Sequence, residues 1–535
     1  GAIQLDALDL ETATVSLDGS ARIGADGWPE RLLLDGRIAS EDGEPVQIAF
    51  TQDVTRLDQA TLRLFYDRAQ GDEFTLRALV EGLDRPEMAL ERATLSGQGT
   101  IARNAGSSVP GQVSGQLSLA LEGLDLADAS LADATGRDLR GGLQFDWQEG
   151  APFEITGIDL NGAGIEVAGD VTLFGLSEGN DPTVEPYISV RTDDLSRFSG
   201  VAGRDLGGAA NFVLEGTMEP VAGRFDLSLS GTADDLSADI EQLDGLLAGR
   251  LTLAASAERN EGGTFLRQLD LDGRSITLSA NGQLKTGESS GTFDLTLPDL
   301  SLVDPNASGQ LTASGTLDEG EAAYALDLEA SGPGDTRIDG VVTARKGEDG
   351  GIVGVGFDGT ADSQRLAAFA PLIDRPLAGG LTFDGSGSYT LETGYFDTSG
   401  TLVTQDLEIG IPQVDGLLQG TTRAEVDAVR DDGGIPIRDA RVNGPGIRMT
   451  ANGTLLSDAS TATFDITLPE LSRAAAGMTG SASLQGELTE SADAYLLDFS
   501  ASGPGQTGAS GELTATKSDD GSGPMGVASV SFDGT

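Results

Sequence analysis

The chain has 535 residues, more than one domain usually holds, and carries 86 acidic against 33 basic residues for a formal charge of −53. That balance repels a phosphate backbone and excludes nucleic acid as a partner; with lysine only at Lys285, Lys346 and Lys517, there is also no polybasic segment to hold an anionic membrane surface. Cysteine and histidine are both absent, which removes thiol chemistry, thiolate metal sites, imidazole bases and disulfides in one step.

Any contact with lipid therefore has to be apolar. The excess acid serves solubility first. No apolar run is long enough to span a bilayer, and no signal peptide opens the chain. A start at Gly1-Ala2 and a stop after FDGT lead us to expect a piece of a longer protein.

Residues 1–192 hold weak echoes of the later chain. GRDL at 136 recurs at 203, and IDLNG (158–162) resembles LDLDG (269–273), so this stretch is expected to be a diverged or partial copy of a repeat. From residue 193 the repetition becomes explicit. TFDLTLPDLS (292–301) returns as TFDITLPELS (463–472), an offset of 463 − 292 = 171. At the same offset QLDGLLAG (242–249) falls on QVDGLLQG (413–420), ANGQL (280–284) on ANGTL (451–455), and SGPG at 331 on SGPG at 502. Four extra residues then bring FDGT at 357 onto FDGT at 532. Two copies of one module are expected, at 193–361 and 362–535.

Each module opens with DLSRFSGVAG or DSQRLAAFAPLI. These place Leu195, Phe198, Val201 and Leu366, Phe369, Leu372 at spacings of three, which predicts a short helix with Asp as N-cap, set over one edge of a sheet. Beyond it the texture is strict alternation. Phe225, Leu227 and Leu229 alternate with Asp226 and Ser228; Phe293, Leu295 and Leu297 with Asp294 and Thr296; Leu326 and Leu328 flank Asp327; Phe464, Ile466 and Leu468 repeat the phrase in the second copy. Successive strand side chains point to opposite faces, so each run predicts a strand with one apolar and one polar face. The NG at 281, DG at 339 and DDGG at 431–434 are assigned to hairpin turns. At about 12 residues per strand and turn, a module holds about 14 strands.

A flat sheet of that size would expose an apolar face far beyond the few hundred Å² usual for a soluble monomer. The predicted class is therefore all-β: an elongated antiparallel sheet curled into a half-shut taco, an open solenoid-like groove of ~171-residue repeats with short helices at the module starts. The candidate lining is the apolar half of the alternation, namely Phe225, Leu227, Leu229, Phe293, Leu295, Leu297, Leu326, Leu328, Phe464, Ile466 and Leu468. Such a wall offers dispersion without direction and suits acyl chains that slide.

Other motifs are set aside. GVGFDG (354–359) matches GxGxxG, yet its counterpart reads SVSFDG (529–534) and no βαβ unit surrounds it. LDLDG and FDGT lack EF-hand spacing, and Asp beside Gly is assigned to turns. Asp193 and Asp194 are assigned to a helix cap and a solvated face. No enzyme, cofactor or metal is expected.

The helix leading into RDLGG or RPLAGG, the strings of alternating strands, the ANG turns and the acidic, cysteine-free texture together resemble the periplasmic part of the TamB family, within the AsmA-like superfamily of Gram-negative envelope proteins. The resemblance covers nearly the whole chain, most clearly from 193 onward. It implies a β-taco in the periplasm, an inner-membrane anchor and a docking domain outside this stretch, an Omp85-type (TamA-like) outer-membrane partner, phospholipid acyl chains as cargo, and roles in lipid transfer and outer-membrane protein assembly, with one copy of the chain along the groove. The alternative, from a different class, is a structural or adhesive β-solenoid of the envelope with a filled core.

Overall fold

The structure is a computed structural model and describes residues 3–48, 54–104, 110–175, 181–285, 287–348, 350–456, 459–517 and 527–535. The protein is all-β, with 66% of its residues in strands and 10% in helices. Among the described residues 34 strands pair antiparallel, in an open arrangement within each unit. The chain divides into two compact units, Gly1–Gln283 and Leu284–Thr535.

The first unit is a meander with two detours. Pro29–Ala39 skips a short pair, Val46–Ile48 with Thr55–Leu57, to join Gln59–Asp67. Pro110–Glu122 joins Leu139–Gln148 across the excursion that holds helix α1, Ala129–Thr135. Two further helices follow in this unit, α2 (Ser199–Ala202) and α3 (Glu241–Leu247). The second unit is a plain meander carrying α4 (Ala370–Ile373) and α5 (Pro412–Leu418). Among the described residues all five helices follow strands that run toward the same edge of their unit, which we call the helix edge. At the opposite, hairpin edge, described turns such as Asn260–Gly262 and Asp431–Gly434 are short and rich in acid and glycine.

Elements recur at fixed distance. Leu195–Phe198 and Leu366–Phe369 are both 3-10 turns leading into a helix (366 − 195 = 171), and α3 and α5 stand equally far apart (412 − 241 = 171). The three-residue spacings thus become one 3-10 turn and one α turn. Asp194 caps the first, its carboxylate accepting from Ser196 N at 2.9 Å, but Arg365 occupies the corresponding position of the second and gives no side-chain cap. Asp362, the expected cap there, ends a strand and accepts from Gln364 Nε2 at 2.6 Å.

Three expectations fail, each for a physical reason. Ten strands lie between Gly207 and Ser363, fewer than about 14, because the helix-edge connections are long. QLDGLLAG and QVDGLLQG, which mark the repeat in sequence, fold as α3 and α5; Asp244 and Asp415 reach back to accept from Ala238 N and Ile409 N, each at 2.8 Å. Finally, most of the Asn-Gly and Asp-Gly phrases are not turns. Asn281-Gly282, Asp339-Gly340, Asp358-Gly359 and Asn452-Gly453 lie inside the strands Thr277–Leu284, Thr336–Lys346, Ile352–Ser363 and Arg448–Leu455. There Asp or Asn takes the polar side and Gly the apolar side. A Cβ on Gly340 would stand 2.6 Å from Asp358 O and on Gly453 2.2 Å from Thr461 O, so any side chain there forces the neighbouring backbone to shift. DDGG at 431–434 does turn, with Gly434 at φ 109°.

Tight burial is confined to small clusters. Among the described residues Leu251 is the one large side chain under 2% exposed, paired with buried Ala233 of the strand that α3 packs against. At the hairpin edge of the first unit, buried Trp28 donates from Nε1 to Tyr66 OH (2.9 Å), and Tyr66 donates to Asp72 (2.7 Å). Burial, and then Asp72, push the Tyr66 hydroxyl up to about 12.

Candidate functional site: the apolar face

Residues directly opposite in an antiparallel pair share a face, so the strand register carries each face from strand to strand. In the first unit one row runs from Leu17 through Leu62, Leu95, Leu160 and Phe212 to Leu271, with only Gly, Ala, Leu and Val at the positions between. In the second unit a row runs from Leu295 through Ile338, Phe383, Val442 and Ile466 to Ala509, again without a charge. One residue over, the row on the other face is polar throughout, from Asp294 through Glu329, Asp339, Asp384 and Asp465 to Ser510.

The register places Phe293, Leu295, Leu297, Leu326, Leu328, Phe464, Ile466 and Leu468 on one face of the second unit: Phe293 and Leu328 flank Gly315, and Leu295 and Ile466 lie in the same row. Phe225, Leu227 and Leu229 take the apolar face of the first, beside the row through Phe212 and Gly231. All are half-buried except Leu297, which is buried. The alternation is blurred on one strand, where Asp226 is also half-buried under Arg267, 3.0 Å away. The face is not covered by the protein's own side chains throughout: Ile338, Val342 and Phe357, on two adjacent strands, are 44%, 43% and 43% exposed.

Glycine is what the alternation leaves out. Phenylalanine rings lie across glycines of the neighbouring strand, so that a Cβ would come within 3.0 Å of the Phe293 ring at Gly315, 2.6 Å of Phe212 at Gly231 and 3.1 Å of Phe464 at Gly486. Rings laid over glycine keep the wall shallow, and they cover backbone that would otherwise be bare. The sequence signal was present as glycines opposite Phe in register, but it is visible only once the pairing is known.

Cations mark the hairpin edge of the same face. The Lys346 ammonium sits 4.3 Å from the Tyr324 ring centroid and pairs with Glu319, which also accepts from Ser289 N at 3.1 Å. Lys346, then Ser289, holds the Glu319 carboxyl down to about 2. The arrangement recurs 171 positions on (517 − 346): Lys517 lies 4.8 Å from the Tyr495 centroid and 2.6 Å from Glu490, whose carboxyl is likewise held at about 2 by Lys517 and Ser460. Two arginines, also 430 − 259 = 171 apart, each occupy the hairpin edge of their own unit. Arg259 is opposite Phe225, Arg430 opposite Phe396, both are exposed, and neither makes an ion pair among the described residues.

At the helix edge of the second unit, the turn leading into α4 roofs a cavity of about 160 Å³ whose open wall is apolar, formed by Leu300, Leu311, Ile338, Phe369 and Leu372 among others. Among the described residues no cluster of carboxylates is placed to hold a metal, and no helix is long and apolar enough to cross a membrane. No family model matches the chain, and no curated protein matches it.

Proposed function

We propose that this chain is a stretch of a hydrophobic groove that carries phospholipid acyl chains across the periplasm between inner and outer membranes, as its resemblance to the TamB family suggests. In this reading the sheet is a β-taco of ~171-residue modules, each opened by a helical turn. An inner-membrane anchor and a site for an Omp85-type, TamA-like partner belong to parts of the protein beyond this stretch. The groove also serves outer-membrane protein assembly by shielding apolar segments in the same way.

The observation that carries the reading is the uncharged row that crosses strand after strand of each unit. A phospholipid in water exposes two acyl chains; at about 0.8 kcal/mol per CH₂, roughly 30 methylenes cost over about 20 kcal/mol. A continuous apolar wall removes most of that cost at every step, and because it solvates the chains much as a bilayer does, it sets no deep trap. No acid, base or metal is required.

The test is site-specific photocrosslinking. A photoreactive side chain at position 295 captures co-purified or added phospholipid, while the same group at position 294, one residue over on the polar face, does not. Equal capture at both positions, or none at 295, overturns the groove and favours the filled solenoid.

A further inference from the structure

We propose that Arg259 and Arg430 bind the phosphate of a diacyl phospholipid whose tails lie on the apolar face beside them, so that head groups line the hairpin edge and tails point toward the helix edge. This rests on the groove reading above. Other exposed arginines, Arg77 and Arg375 among them, also make no ion pair among the described residues; what sets Arg259 and Arg430 apart is that the register puts both on the apolar face of their unit, opposite a phenylalanine, at equivalent positions. Three of the nearby acids are committed elsewhere. Glu258 lies on the opposite face with Arg267; Asp431 accepts from Gly433 N at 2.7 Å, and Asp432 accepts from the Tyr395 hydroxyl.

Neutralisation is not a general requirement of this edge met by chance. Lys346 and Lys517, on the same face, each have a glutamate, so the fold provides a partner at two cation positions and withholds it at the other two. A guanidinium presents a planar fork that matches two phosphate oxygens, and it does so here against an aromatic neighbour, Phe225 or Phe396. The space beside each arginine suits tails. Strand Thr421–Arg430 has 10 residues; at about 3.3 Å each it spans about 30 Å. One leaflet's tails need about 15 Å, half the hydrocarbon thickness of a bilayer.

The experiment is native mass spectrometry of the full chain, delipidated and then offered dioleoyl phosphatidylglycerol, or diolein with the same tails and no phosphate. Wild type retains the phosphatidylglycerol more strongly. R259E/R430E lowers that retention about tenfold, the effect of losing a charge-assisted contact, and leaves diolein retention unchanged. R259K/R430K falls between, and R267Q, on the polar face, changes neither. Circular dichroism checks folding; should the double reversal unfold, R259Q and R430Q are measured singly, each with a smaller loss expected. Equal retention of both lipids by wild type, or phosphatidylglycerol retention indifferent to the arginines, overturns the proposal while leaving the groove intact. Retention of neither lipid by wild type overturns the groove itself. Inorganic phosphate is the third arm: if it binds these arginines as tightly as phosphatidylglycerol does, the site takes a free anion and the head-group assignment falls.

Discussion

A lysine among so many acids has a choice of partners, and Lys346 takes the one that also offers a ring. Its ammonium rests on Tyr324 while Glu319, barely exposed, accepts from both Lys346 and Ser289. The sign of the pH effect comes from the direction of the shift. An unfolded Glu319 titrates near 4.5 and the folded one at about 2, so the pairing contributes stability above 4.5 that is lost as pH falls from there toward 2. Glu490 with Lys517 adds a second contribution over the same range. K346M/K517M should therefore melt lower than wild type at neutral pH, since each change strands a carboxylate, and the two melting curves should converge as pH approaches 2. Thermal melts followed by circular dichroism across that range decide it. Parallel profiles for the two proteins would mean the pairs carry no linkage. In sequence these lysines were legible only as too few to attract a membrane; what makes them structural is the neighbouring strand that brings Tyr324 beneath Lys346, and register is not written in local pattern.

Among the elements, the strands were the legible part. Ser290–Leu297 and Thr461–Leu468 show in their burial the period of two that Phe293, Leu295 and Leu297 announce. Alternation is strong evidence because a slip of one residue would turn every leucine outward. Helices α3 and α5 were not legible, since two turns interrupted by Gly245 or Gly416 carry too little periodicity, and neither has a side-chain N-cap: Asp244 and Asp415 bond backbone that precedes the helix. Glycine misled in the other direction. Asp-Gly favours turns, but in Thr336–Lys346 the pair simply continues the polar-apolar alternation with the smallest possible inward residue. Two effects then compete at Gly340. Replacing glycine by alanine inside a strand gains about 0.5–1 kcal/mol of backbone entropy. Against it, the new Cβ would meet Asp358 O at 2.6 Å and Gly359 Cα at 2.7 Å, backbone on both counts. Overpacking costs about 1–3 kcal/mol, so sterics win and G340A should be destabilised by about 1–2 kcal/mol. Gly332 is the control: its φ is −154°, and a Cβ there meets only the Leu311 side chain at 3.7 Å, so G332A should be neutral or slightly stabilising. Urea midpoints measure both; a G340A protein as stable as wild type would show that the neighbouring strand yields.

For the whole molecule, sequence pattern established that each strand has two unlike faces, and it located the candidate lining on one of them. What it left open was how far that face is covered by the protein itself, because coverage depends on which strands meet, not on any strand alone. With Ile338, Val342 and Phe357 accessible and no charge in either row, each row offers the tails an unbroken apolar course, and the proposed conduit becomes a path in series within its unit. That has a kinetic consequence. An arginine set in a hydrocarbon path raises a barrier of about 3 kcal/mol, close to a hundredfold in rate. In a series path one such barrier anywhere sets the flux, and a second equal barrier only halves what is left. L295R and I466R, both in the row of the second unit, should each abolish most phospholipid transfer between donor and acceptor vesicles bridged by the full-length protein, and L295R/I466R should fall within about twofold of either single variant. Independent binding patches behave otherwise: each variant would remove its own share, and the losses would add. A double variant clearly worse than both singles would therefore show that lipids bind this face without travelling along it.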